Sequence, residues 1–371
     1  MTNWTNLLTS STDDILHWAA STAWGQAMAA CQQDQGWHAE GDVWTHTQMV
    51  VRELERLPDW STLDRPTQAT LLCTALFHDA GKPATTIVNP ETGRTHSPKH
   101  ALVGMELARS VLRQLGCPLV QRERICQLVR YHGRPPFLFE KTDPVEEVIR
   151  LSWLVDHQLL YWFALADTRG RQTSDMTRAE ETLHLWKMLA EEHHCYTQPY
   201  VFANDQARFL FYQGKISSLH YIPQEDYRCT VTMMAGVPGV GKDTWLRQYH
   251  PELPTVSLDE LRHDLDIDPT DNQGAVIQAA REACRQLLRD RRDFAFNATN
   301  TMKLTRQRWL NLFAEYGARI ELIYLEPALE TIHQQNARRP RPVPRAIIEK
   351  LVDKLEPPTA DEAHVVRLLD L

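Results

Sequence analysis

The chain of 371 residues is too long for one small core and sets an expectation of two domains. Hydrophobic residues at 43% and charged residues at 24% are the balance of a soluble globular chain, and a net charge of −8 excludes a general electrostatic pull toward nucleic acid. The 7 cysteines are scattered without a CxxC pair, which excludes a zinc ribbon or a disulfide framework, and the opening MTNWTNLLTSSTDDILHW has no basic segment followed by an apolar run. The expectation is a cytoplasmic chain with no signal peptide, no membrane span and no membrane partner.

From about residue 12 to about residue 194 the apolar spacing is helical. HTQMVVRELERL sets Met49, Leu54 and Leu57 near one face, and QATLLCTALFHDAG is a more apolar helix suited to burial. ALVGMELARSVLRQLG and RERICQLVRYHG are amphipathic and end at glycine. PVEEVIRLSWLVDHQLLYWFALADTRGR is a long mixed run of the kind that crosses a helical core, and no β-alternation stands before Cys195. The stretch from Cys195 to Arg228 mixes aromatics, Gly and Pro and reads as a connecting region that packs on one domain. Beyond it, strands are expected at CTVTMMAG, TVSLD, DFAFNATN and RIELIYLE, each followed by a helical stretch. That alternation implies a parallel sheet faced by helices. The boundary is expected between residues 220 and 228, giving domains 1–225 and 226–371.

In the helical half, His46, His78-Asp79, His100, His132 and Asp167 form an ordered set of metal-ligand types. His and Asp bind divalent metals well, and an adjacent His-Asp pair can serve two of them. Two metals a few ångströms apart activate a water and clamp a phosphoryl group. His96, His157, His184 and the His193-His194 pair fit no ligand position, while Arg169 and Arg171 are candidates for substrate contact.

The motifs THTQMVV, LFHDAGK, SPKHALVGMELA, VRYHGRP and LADTRGR, in that order, resemble the HD-domain phosphohydrolases over roughly residues 40 to 175. The resemblance implies an all-α HD fold. It assigns one metal to His46, His78, Asp79 and Asp167, and has Asp79 bridge to a second held by His100 and His132. Lys82 matches a lysine that would contact phosphate. The implied metals are two divalent transition ions of the Mn, Ni, Co or Fe class.

In the second half, AGVPGVGK carries Gly236-x-x-x-x-Gly241-Lys242 with Gly239 between, after a buried strand and before a helix. Such a loop wraps a phosphate chain with backbone N–H groups, and Lys242 adds charge on the β/γ-phosphates. An NTP, ATP first among them, with Mg2+ is the expected donor. The residue after the lysine is Asp243 where Ser or Thr usually holds the ion. A carboxylate can hold magnesium directly or through water, and Thr244 is placed for the α-phosphate. VSLDELRHDL follows the second expected strand: Asp259 can take a proton from an attacking hydroxyl, with Arg262 one turn on. Ser257 or Asp259 as a plain helix cap is the bland reading.

The Asp259/Arg262 pair resembles the Ser-x-Asp-x-x-Arg element of polynucleotide 5′-kinases, where the Asp is the general base and the Arg grips a neighbouring phosphate. FNATNTMKLTRQRW is similar to the kinase Asp-x-Thr-Asn segment, with Asn297 where many relatives have Asp. Thr299, Asn300 and Arg306 are its candidates for the acceptor groove. NARRPRPVPRAIIEKL resembles the lid, with Arg339 ranked above Arg341 and Arg338 for charge stabilisation. An all-α HD domain ahead of an α/β P-loop kinase domain resembles the bacterial bifunctional end-healing enzymes, HD-Pnk. The implied partners are RNA or DNA ends and NTP, with an RNA ligase acting downstream. The competing expectations are a small-molecule nucleotide or sugar kinase fused to a nucleotide phosphohydrolase, and an HD phosphohydrolase that senses NTP.

Overall fold

The computed structural model describes residues 1–34, 39–172, 176–216, 218–268 and 270–370, and the chain forms two compact units, Met1–Val201 and Phe202–Leu371.

The first unit is helical. Its centre is the helix Arg65–Phe77, opened by Asp64, whose Oδ1 accepts from Thr67 N at 2.8 Å, and by Pro66 in the first turn. Every residue from Gln68 to Phe77 on it is buried, as its all-round apolar sequence requires. The helices Val43–Glu55, His100–Gln114, Leu119–Tyr131 and His157–Arg169 are among those that surround it. The long run expected across the core is broken into Pro144–Ser152 and His157–Arg169. The first helix closes at Trp153, and Asp156 caps the second, accepting from Leu159 N at 3.0 Å. A hairpin of two-residue strands, β1 (Ile87–Val88) and β2 (Thr95–His96), interrupts the helices where no strand was expected. Two residues per strand carry no alternation to read. The turn is closed instead by Asn89, whose Oδ1 accepts from Glu91 N and Thr92 N, and by Gly93 at φ 68°.

The second unit holds a five-stranded parallel sheet in the order β4-β5-β3-β6-β7, with β3 (Thr230–Ala235), β4 (Thr255–Ser257), β5 (Phe294–Asn297), β6 (Arg319–Leu325) and β7 (Val365–Leu369). Four of these were legible; β7 is half-buried along its length and lacks the apolar run that marks the others. β3 and β5 are almost wholly buried, as central parallel strands are. Register sets Asn297 opposite both Met234 and Ser257, so the carboxyl ends of β3, β4 and β5 lie level. In open α/β sheets ligands bind outside such ends.

The division falls at Val201/Phe202 instead of near residue 225. The connecting segment is built into the second unit: the Arg208 guanidinium donates to Ala360 O, Ala363 O and His364 O. His364 also stacks on Phe209 at 4.1 Å and bonds Gln206 Oε1 at 2.8 Å. The seven cysteines are all free, in line with the absence of a disulfide framework. No helix among the described residues is long and apolar enough to cross a membrane.

Candidate metal centre and nucleotide site

In the first unit, six ligand-type side chains converge in two triads, His46 with His78 and Asp167, and Asp79 with His100 and His132, each with its ligand atoms within 4.8 Å of one another. Helix ends do most of the placing. His78 and His132 stand at helix C-caps, and His100 is the first residue of its helix. His78 Nδ1 lies 2.8 Å from Ala75 O, His100 Nδ1 2.8 Å from Ser97 O and His132 Nδ1 2.8 Å from Val129 O, each carbonyl three residues back. His46 Nδ1 faces Gly170 O at 3.2 Å and Glu40 Oε1 at 3.0 Å. With Nδ1 protonated toward these oxygens, each ring turns an unprotonated Nε2 inward, the tautomer a metal ligand needs.

Asp79 lies at the middle. Its Oδ2 is 3.2 Å from His78 Nε2 and 3.9 Å from His46 Nε2, and its Oδ1 is 3.4 Å from His100 Nε2. His46 Nε2 is 3.0 Å from Asp167 Oδ1, and His100 Nε2 is 3.4 Å from His132 Nε2. His78 Nε2 is buried without a hydrogen bond although a carboxylate oxygen is beside it. An unprotonated Nε2 beside a buried carboxylate oxygen is a repulsive pair that a bound cation relieves, so the donor set fits divalent metal ions. Glycines make the approach possible. A Cβ at Gly81 would lie 2.2 Å from His100 O, and one at Gly104 would lie 2.7 Å from Phe77 O. The His-Asp turn and the helix of His100 therefore touch through backbone.

Burial alone would raise both carboxylates. Lys82 and His78 hold Asp79 well below the usual carboxylate range, and Arg171 and His46 do the same for Asp167. Burial opposes charge on His46, but the bonds to Asp167 and Glu40 outweigh it and raise its pKa. Burial, with His78 and His100 nearby, pushes His132 down to about 3, which keeps it neutral.

In the second unit, the turn after β3 carries Gly236, Gly239 and Gly241 at φ 138°, 89° and 95°, a left-handed region that favours glycine. A Cβ at Gly236 would meet Leu325 O at 2.6 Å, and one at Gly239 would meet Ile332 O at 2.9 Å. Lys242 opens the helix Lys242–Tyr249 and folds back over the loop, donating to Gly236 O at 2.9 Å and Val237 O at 3.2 Å. Burial pushes its ammonium down to about 8, against the pull of Asp259 and Asp243. Asp243 accepts from Asn297 Nδ2 at 2.5 Å, while Thr244 is exposed on the same turn.

Asp259 lies in the first turn of the helix Leu258–Asp264, directly after β4. Ser257 Oγ does the capping, accepting from Glu260 N at 3.4 Å, which leaves the Asp259 carboxylate for other partners. Arg262 Nη1 is 2.5 Å from Asp259 Oδ1 and Arg339 Nη2 is 3.5 Å from Asp259 Oδ2. Arg262 Nε is in turn fixed by Gln273 Oε1 at 2.7 Å. Arg339 follows the helix Leu329–Ala337 in a loop clasped by Asn336, which bonds both N and O of Val343.

Residues 43–153 match the HD domain family, and residues 231–358 match the family described as AAA domain. The chain joins an HD domain to a P-loop kinase-like domain. A curated relative, the CC-adding tRNA nucleotidyltransferase of Thermus thermophilus, is 43% identical over 89 residues, covering 24% of this chain and 19% of that protein's length. A solved structure from Chloroflexus aurantiacus J-10-fl, named a "putative kinase", shares 15% identity and a TM-score of 0.32, covering 39% of this chain and 86% of that one.

Within the first unit all six expected ligands meet, five of them inside the HD-matched residues and Asp167 beyond them, and Lys82 joins them, its Nζ 2.7 Å from Asp79 Oδ2 and 2.6 Å from Gln33 Oε1. Arg171, just past the C-cap of the helix His157–Arg169, pairs with Asp167, whereas Arg169 is taken up by Glu180 through two bonds of 2.9 Å. Glu40 and Gln33 were missed; they lie in an aperiodic stretch that gave no signal. His157 is packed 4.6 Å from Trp186, away from the ligand set as expected.

Within the kinase-like domain Lys242, Asp243, Asp259, Arg262 and Arg339 lie around the carboxyl ends of the strands, and Arg341 and Arg338 are exposed beyond the helix Leu329–Ala337. The acceptor-groove expectation for FNATNTMKLTRQRW is corrected. Arg306 is fully buried, paired with Glu362 through bonds of 2.7 and 2.9 Å and donating to Asn300 O and Glu356 O. Asn300 is buried and donates to Met234 O, and Thr299 O accepts from Gly236 N at 2.8 Å. Asn300 and the Thr299 backbone brace the phosphate loop, and Arg306 ties that brace to the Glu356–Glu362 segment. Only the exposed Thr299 side chain is left for an acceptor.

Proposed function

We propose that this chain heals nucleic-acid ends. Its kinase-like domain moves the γ-phosphoryl of an NTP, ATP first among them and bound with Mg2+, to a 5′-hydroxyl of RNA or DNA. Its HD domain hydrolyses a 2′,3′-cyclic phosphate, or a 2′- or 3′-phosphate, with two divalent ions of the Mn, Ni, Co or Fe class. The observation that carries the kinase half is Asp259, held between Arg262 and Arg339 at the end of β4. A carboxylate there takes the proton as the 5′-oxygen attacks the γ-phosphorus and the NDP departs. Arg262 faces the acceptor strand's own phosphate, while Lys242 and Arg339 meet the charge on the transferring group.

At the HD centre the bound ions would supply a water of lowered pKa and a clamp on the phosphoryl oxygens. The chain's own part is to hold six donors, the four histidines in fixed tautomers, and to set Lys82 beside Asp79, where it meets substrate charge. Arg306 is withdrawn from the acceptor side. That favours, as a second reading, a smaller acceptor such as a nucleoside.

The test is transfer of labelled phosphate from NTP to a 5′-OH oligonucleotide, in competition with nucleosides. Lys242→Ala and Asp259→Ala abolish it and leave hydrolysis of cyclic phosphate intact; Asp79→Ala does the reverse. No labelling of any oligonucleotide across metals and NTPs, with labelling of nucleosides, transfers the assignment to the second reading.

A further inference from the structure

A hydroxyl directly after the loop lysine and a carboxylate at a neighbouring strand end are the usual protein groups around a nucleotide-bound magnesium. This chain carries its carboxylate on the loop instead. The carboxylate, Asp243, stands after Lys242, and a neutral amide, Asn297, ends β5. The two are 54 residues apart, yet Asn297 Nδ2 donates to Asp243 Oδ1 at 2.5 Å. The amide has one workable orientation, because its oxygen would repel the carboxylate. That orientation leaves Asn297 Oδ1 buried with no hydrogen-bond partner. A buried carbonyl oxygen without a donor is costly and calls for a cation or a cation-bound water. The pair sums to one negative charge, as a hydroxyl with a carboxylate does; only its place has moved.

We propose that Asp243 and Asn297 act as one cation-holding unit with the carboxylate transferred from strand to loop. Asp243 supplies the charged oxygen. Asn297 is a positioning residue that holds Asp243 by its amide and turns Oδ1 toward a water of the bound ion. This rests on reading the loop as an NTP site and adds how the ion is retained there. Because Asp243 also faces the phosphates, it repels NTP when no ion is present. Nucleotide affinity in this chain is therefore coupled to Mg2+ more steeply than with a hydroxyl at that position beside an unchanged Asn297.

The experiment is fluorescence anisotropy of a labelled ATP on the full chain, with Mg2+ and with chelator, and the reading is the metal-free Kd divided by the Kd with Mg2+. Asp243→Ser lowers that ratio at least tenfold, chiefly by tightening the metal-free complex. Asn297→Asp alone sets two carboxylates against each other and weakens metal-free binding further. The exchange Asp243→Ser with Asn297→Asp returns the ratio to within about threefold of the parent, as unlinked sites would not. Melting curves confirm that each variant is folded, and if Asn297→Asp alone does not fold, Asp243→Ser and the exchange carry the test. An unchanged ratio in Asp243→Ser, or an exchange variant no nearer the parent than Asp243→Ser, overturns the pairing while leaving the NTP site standing. A parent chain that binds no labelled ATP overturns both.

Discussion

Gly81→Ala should unmake half of the metal centre without unfolding the chain. The added Cβ would lie 2.2 Å from His100 O and 2.7 Å from Gly104 N, both backbone atoms that cannot rotate away. Ordinary contact begins near 3.4 Å, so the His100–Gln114 helix must recede by about 1 Å. Overpacking of that size costs about 1–3 kcal/mol, which lowers the melting temperature of a domain this large by about 2–12 °C. The larger effect is local. His100 leads that helix, with Nε2 3.4 Å from Asp79 Oδ1, and metal sites tolerate only about 0.2 Å in ligand distance. The triad of Asp79, His100 and His132 therefore loses its metal while His46, His78 and Asp167 keep theirs. Titration with Mn2+ followed by metal analysis should fall from two ions to one, and phosphoester hydrolysis by about 100-fold, with 5′-labelling within twofold of the parent. A folded Gly81→Ala chain that holds two ions and hydrolyses normally would refute the argument that backbone contact at Gly81 sets the site.

Glu40→Gln removes the carboxylate beside His46 Nδ1 and should weaken metal binding by about 10–100-fold; equal affinity in a metal titration would make Glu40 a bystander. Lys242, pushed down to about 8 by burial, is half neutral at pH 8 in the free chain. Phosphate raises its pKa again, so NTP binding takes up close to half a proton at pH 8 and almost none at pH 6, where the lysine is already charged. Calorimetry in buffers of different ionisation enthalpy measures this, and no uptake at pH 8 contradicts the burial argument. Arg306→Gln leaves Glu362 buried without its cation and should destabilise the kinase-like domain by about 3–5 kcal/mol. Below its melting point the acceptor KM stays unchanged. A tenfold rise in that KM with no loss of stability would return Arg306 to the acceptor groove.

Local chemistry was the part that could be read directly. His46, the His78-Asp79 pair, His100, His132 and Asp167 are uncommon residue types in helical surroundings, and the glycine spacing before Lys242 has one well-known use. Strand and helix alternation after residue 228 announced the parallel sheet because parallel strands are apolar throughout. β7 and the hairpin at residues 87–96 escaped because neither has a run long enough to carry a period. The observed division lies some twenty residues before the expected one, since composition marks where strands begin and not where Arg208 and Phe209 are anchored.

What the amino-acid order determined by itself was therefore the two kinds of domain and the candidate donor residues of each. What only the tertiary structure decided was how those atoms are used: Asp79 in the middle of its histidines, Glu40 behind His46, Arg339 reaching Asp259, and Asn297 on Asp243. Arg306 makes the same point in reverse, an arginine of the right type in the right motif that is spent on Glu362, 56 residues away. A side chain's type is fixed by its codon and its local spacing by the helix or strand it sits in. Its partner is set by which distant segments the packed core brings within about 3 Å, and no short stretch of sequence carries that information.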